Sequence, residues 1–136
     1  MFKNLLCQKF KGSIHVDGYA VFFSGRKREA RVALTVSESA NKSMFEFMLT
    51  YERKLRARFA SYQSTIIAAY APTNEADDSL EDVFNFELND VVDSVHEHNI
   101  LVLCGDFIAK VGSYRSYAPD VTGQHGLGRI TDNGLR

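Results

Sequence analysis

Two short apolar runs with a helical period between them constrain this chain more than any other feature. STIIAAY (64–70) and NILVLCGDF (99–107) are almost unbroken hydrocarbon, the pattern of strands covered on both faces. Between them Leu80, Val83, Phe84, Leu88, Val91, Val92 and Val95 recur at helical spacing from Leu80 to His98, with acidic residues filling much of the opposite side. Pro72 disfavours helix at Ala71, and Asp78 or Ser79 can cap the helix that starts beyond them. Strand, helix and strand over residues 64–107 predict a parallel crossover, and so a chain of the α/β class.

The front half has a different period. GYAVFF (18–23) reads as a strand ending at Ser24-Gly25, and the charged residues Arg26 to Glu29 make a turn into RVALTV (31–36). MFEFML (44–49) alternates, and LRARFA (55–60) sets Arg56 and Arg58 on one face against Leu55, Ala57 and Phe59 on the other. These segments predict a β-meander with one wet face. Beyond Phe107 the chain is a Gly-rich polar loop, and residues 132–136 read as the start of a further helix, as if the chain were a piece of something longer.

With 136 residues, 45% of them hydrophobic and 24% charged, the chain fits a single globular domain. Its opening segment has only a short apolar patch, Leu5 to Cys7. The expectation is therefore an intracellular protein, nuclear or cytoplasmic, with no membrane partner. Cys7 and Cys104 form neither a disulfide framework nor a CxxC pair and read as buried thiols. A net charge of −1 excludes a wholesale polycation, yet residues 1–68 carry +7 and residues 69–136 carry −8. Arg26, Lys27, Arg28, Arg31, Arg53, Lys54, Arg56 and Arg58 offer either DNA-backbone contacts or a solvated sheet face with a charged turn.

Reactive groups in α/β sheets collect beyond the carboxyl ends of strands. Two strand exits here carry polar residues, Tyr70 to Asn74 and Gly105 to Ile108. Adjacent parallel strands would bring Tyr70 and Asp106 near each other. Taken alone, Asp106 is a turn cap and Tyr70 a strand-end aromatic.

Taken together, GYAVFFSG, IIAAYAPTNEADDS, ILVLCGDFIAKVGS and GQHGLG resemble the endonuclease/exonuclease/phosphatase superfamily. More narrowly, they resemble the endonuclease domain of RTE-type non-LTR retrotransposons and the host proteins of the craniofacial development protein 2 type. The resemblance runs from about Phe10 to Arg136. It implies a four-layered α/β sandwich, two packed β-sheets flanked by helices, here partial and truncated at both ends. It also implies Mg²⁺-dependent hydrolysis of DNA phosphodiesters, in which Asp106 positions or activates water and Tyr70 donates to the scissile phosphate. Asn74, Lys110, Arg56 and Arg58 are the expected substrate contacts.

Two positions depart from the family pattern. Ile108 stands where the family has a catalytic asparagine, and an alkyl group neither donates nor accepts a hydrogen bond. Cys7 stands where the family has a metal-binding glutamate, and a thiol suits Mg²⁺ poorly. The family's first asparagine-bearing strand would lie before Met1 and its last histidine beyond Arg136. His15, His96, His98 and His125 match no catalytic position and read as surface residues. The resulting expectation is a retrotransposon-derived endonuclease-like domain, weak or inactive because its catalytic set is incomplete. The alternative is a domesticated remnant that binds nucleic acid or protein without cutting.

Overall fold

Asp17 and Gly18 stand at φ 47° and 80°, and the residues flanking them, Val16 and Tyr19, are paired. This two-residue turn with both centres left-handed matches the right-handed twist of the strands it joins, β1 (Phe10–Val16) and β2 (Tyr19–Arg26). β3 (Glu29–Ser37) pairs with the far side of β2, giving an antiparallel sheet in the order β1-β2-β3. β2 does not stop at Ser24-Gly25 as expected: a register shift there lets pairing continue to Arg26 and Glu29. The computed structural model describes residues 10–26, 29–73, 76–112 and 128–135.

A short helix, α1 (Glu38–Asn41), comes next with Ser37 as its cap, Oγ accepting from the Ala40 N–H at 3.3 Å. β4 (Met44–Tyr51), β5 (Lys54–Phe59), β6 (Ser64–Tyr70) and β7 (Ile100–Asp106) form a second sheet in that order. The first three strands are antiparallel. β6 and β7 are joined through α2 (Asp78–Asp93) and run parallel, since contacts advance together along both: Cys104 Sγ lies 3.6 Å from the Ile67 carbonyl, and the Ala71 N–H donates to the Asp106 carbonyl at 2.9 Å. α3 (Asp132–Leu135) is the short helix expected near the end.

The two sheets pack on each other. Ala20, Phe22 and Val36 meet Ala57 and Phe59, and the rings of Phe22 and Phe47 lie 4.8 Å apart and tilted by 42°. A second cluster joins Val32, Leu55 and Ala68, with Tyr70 and Cys104 against it. Burying a side chain such as Leu55 or Phe22 contributes about 1.5–3 kcal/mol. The chain is thus α/β with two packed sheets, of three and four strands. It divides into two compact units, Met1–Tyr70 with Glu87–Gly105, and Ala71–Phe86 with Asp106–Arg136.

Three further features differ from the sequence reading. α2 ends at Asp93 rather than His98; the Val95 N–H bonds back three residues to Val92, tightening the last turn and leaving His96 and His98 beyond the helix. Of the predicted apolar stripe Phe84 and Val91 are buried, but Leu80 and Val83 are exposed and the acidic Glu81 is buried beside them. Finally, β7 is not covered on both faces. Ile100, Leu101, Val102 and Leu103 are 37–53% exposed, and among the described residues β7 is the edge of its sheet.

Candidate functional site

Gly105 stands at φ 146°, and a Cβ there would overlap the Ala69 carbonyl oxygen. Only glycine allows so close an approach of β7 to β6. Asp106, the next residue, closes β7 with its side chain exposed. Its Oδ1 accepts the main-chain N–H of Ile108 at 3.0 Å, an aspartate turn closing on itself. Ile108 stands at φ 48°. That left-handed region is open to Gly, Asn and Asp, and is an outlier for a β-branched side chain. The main chain therefore holds an asparagine-like conformation while the side chain is hydrocarbon. Lys110, also exposed, donates its N–H to Thr131 Oγ1 at 3.0 Å and accepts from the Thr131 N–H at 3.0 Å, which ties this loop to the segment leading into α3.

Tyr70 closes β6, the strand beside β7, and is half-buried. Its N–H donates to the Arg53 carbonyl at 3.0 Å, and the Arg53 guanidinium carbon lies over its ring, 5.4 Å from the centroid. Arg53 belongs to the two-residue turn between β4 and β5, where Tyr51 pairs with Lys54. Sequence reasoning placed Arg53 and Lys54 together on a basic face, but the structure separates their roles. Lys54 is fully buried, its Nζ donating to Glu87 Oε2 at 2.8 Å and lying 5.5 Å from the centre of the Tyr51 ring. Tyr51 in turn donates to Asp90 Oδ2 at 2.8 Å.

The environment shifts both groups. Burial pushes the Lys54 amine below its usual 10.5, with the hydrogen bond and charge of Glu87 acting against that. The hydrogen bond to Asp90 is the main cause raising the Tyr51 phenol above 10.0. The signal for this cluster in the sequence was a lysine sharing the strand face of Arg56 and Arg58, opposite an acidic helix side.

Arg56 and Arg58, expected as DNA contacts, are engaged by the protein itself. Arg56 donates to Ser94 Oγ at 2.9 Å, lies 3.6 Å from Glu46 Oε2, and keeps only 14% of its side chain exposed. Arg58 bonds the same carboxylate at 3.3 Å and lies over the Phe45 ring at 4.9 Å. Cys7, Asn74 and His125 lie outside the described residues. A cavity of about 510 Å³, lined by Leu34, Ser37, Phe59, Tyr62, Ser64 and Ile66, opens at the start of β6, the end of the strand away from Tyr70.

Mg²⁺ takes an octahedron of hard oxygens. At the β7 exit Asp106 supplies one carboxylate with one oxygen already accepting from Ile108, and Ile108 adds none. No group of three or more His, Cys, Asp or Glu among the described residues gathers to hold a metal. The described donor set does not fit Mg²⁺. Among the described residues no helix is long and apolar enough to cross a membrane.

The chain is 29% identical over 129 residues to craniofacial development protein 2 of Bos taurus. It is 28% identical over 129 residues to the same protein of Tragulus javanicus. Each match covers 92% of this chain and 22% of the relative, so the chain spans about a fifth of the length of these curated relatives. No protein-family model matches, and no solved structure matches.

Proposed function

We propose that the chain is an endonuclease-like domain of retrotransposon descent that contacts DNA phosphate and cleaves it weakly or not at all. The observation that carries this reading is Ile108: its main chain holds φ 48°, suited to asparagine, directly after the Gly105-Asp106-Phe107 turn, yet its side chain offers no hydrogen bond. In this reading Tyr70 donates its phenol to a phosphoryl oxygen and Asp106 aligns water. Loss of one preorganised polar partner costs about 10²–10³ in rate. The resemblance of the strand-exit motifs to a nuclease family, and the similarity to craniofacial development protein 2 over most of the chain, support the descent.

Nicking of supercoiled plasmid in Mg²⁺ buffer tests it. The expected result is no nicking above background, with Ile108→Asn combined with Cys7→Glu raising it. Steady nicking by the unaltered chain that vanishes in Asp106→Asn would overturn the weak-or-inactive reading. Ile108 equally favours the form of this proposal in which the domain binds without cutting.

A further inference from the structure

We propose that the cavity at the start of β6 binds a small, uncharged, flat molecule that is mostly apolar and carries a hydrogen-bond donor, with Tyr62 closing over it. This site uses none of the residues of the DNA-contact reading and stands or falls apart from it. The cavity, about 510 Å³, is the size of a small-molecule site. It opens where the two sheets meet: Val36 of β3 and Phe59 of β5 are buried there, with Leu34 and Ile66 packed against them. None of the described residues lining it carries a charge, so a charged ligand would lose its hydration without gaining a partner.

The polar groups around this apolar base are hydroxyls, and their hydrogen bonds decide what they accept. Ser43 donates to the Ala40 carbonyl at 2.8 Å and Ser64 to the Ser61 carbonyl at 3.0 Å. Each commits its proton to the main chain and keeps lone pairs for an N–H or O–H of a ligand.

The rim supplies an independent observation. Phe59 pairs with Ser64 across the β5–β6 turn, and within that turn Tyr62 and Gln63 stand in succession at φ 57° and φ 46°. Glycine or asparagine would make the same turn at less cost. Core burial does not offset the strain at Tyr62, whose residue is 85% exposed while it lines the cavity. Strained residues of this kind gather at ligand clamps, and an aromatic ring held at the mouth of an apolar cavity gains its burial when a flat ligand fills the space beneath.

The test titrates the whole chain with N-phenylnaphthylamine, an uncharged pair of aromatic units joined by an N–H, and follows its fluorescence. Binding should saturate at one probe per chain with a Kd of about 10–100 µM. Ser61→Trp, which sets an indole at the rim from an exposed position, should abolish that binding with the melting temperature unchanged. Tyr62→Gly should weaken the probe about tenfold while the melting temperature holds or rises, since glycine relieves the left-handed strain. Anilinonaphthalenesulfonate, with the same aromatic units and a negative charge, should bind at least about tenfold more weakly. If Ser61→Trp melts early, Tyr62→Gly and the charged analogue decide the matter. A Tyr62→Gly chain that melts lower yet binds the probe as the native chain does would overturn the role of Tyr62. Neutral-probe binding that neither variant alters, or a sulfonate that binds as tightly, would place the dye on another apolar surface such as β7 and overturn the site. Absence of saturable binding would overturn it as well.

Discussion

The main-chain N–H of Ile108 donates to Asp106 Oδ1 at 3.0 Å while Ile108 itself stands at φ 48°. The turn that fixes Asp106 thus forces a β-branched residue into a region where its Cβ crowds the carbonyl, at a cost of about 1–2 kcal/mol. Ile108→Asn relieves the strain and gives up a half-buried alkyl group. We expect a net gain of about 1 kcal/mol, seen as a higher urea midpoint with unchanged slope. A lower midpoint would show that packing, not main-chain conformation, governs this position.

Gly105→Ala acts on the same strand end in the other direction. The added methyl meets the Ala69 carbonyl oxygen and the main chain stays at a conformation that alanine resists. β6 and β7 must separate locally, and stability should fall by more than about 2 kcal/mol. An alanine variant as stable as the native chain would remove the close approach from the account of how Asp106 is seated.

Glu87→Ala leaves the Lys54 ammonium buried without its 2.8 Å partner. Glu87 is 27% exposed, so water relieves part of the penalty; a loss of about 3 kcal/mol is expected, the low end for breaking a buried pair. Replacing both, Lys54→Met with Glu87→Leu, should cost far less than Glu87→Ala alone. Chemical denaturation of the single and double variants gives the comparison, and additive losses would mean the two residues are not coupled.

Alkaline pH separates Lys54 from Tyr51. Between the lowered folded value of Lys54 and 10.5, the unfolded chain holds a proton that the folded chain has released, so stability from this group rises with pH. Tyr51 does the reverse: its folded value lies above 10.0, the folded chain keeps the proton longer, and stability falls as pH climbs past 10.0. Urea midpoints from neutrality upward should show the native-minus-Lys54→Met difference rising and the native-minus-Tyr51→Phe difference falling. Flat or exchanged curves would contradict these assignments.

Period and turn chemistry made much of the architecture legible. The alternation of Leu55, Ala57 and Phe59 against Arg56 and Arg58 is present in β5, and β6 spans the predicted residues. β1 escaped because its signal was the Asp17-Gly18 turn rather than a long apolar run. In α2 the predicted apolar stripe holds at Phe84 and Val91, while Leu80 and Val83 stay exposed and Glu81 is buried, which periodicity alone cannot register. The strand-exit positions and the family resemblance, not residue type alone, single out Asp106, Tyr70 and Ile108 as candidates. The left-handed backbone at Ile108 and the hold of Arg53 on Tyr70 depend on tertiary geometry, which no local pattern encodes.

The open flank of β7 carries a practical consequence. Four successive hydrocarbon side chains beside main-chain amides that no further described strand pairs, with neither proline nor charge between Ile100 and Gly105, make this strand a seed for cross-chain stacking. Yield after purification should then be set by how crowded the solution is, and turbidity should climb with protein concentration far faster than with storage time.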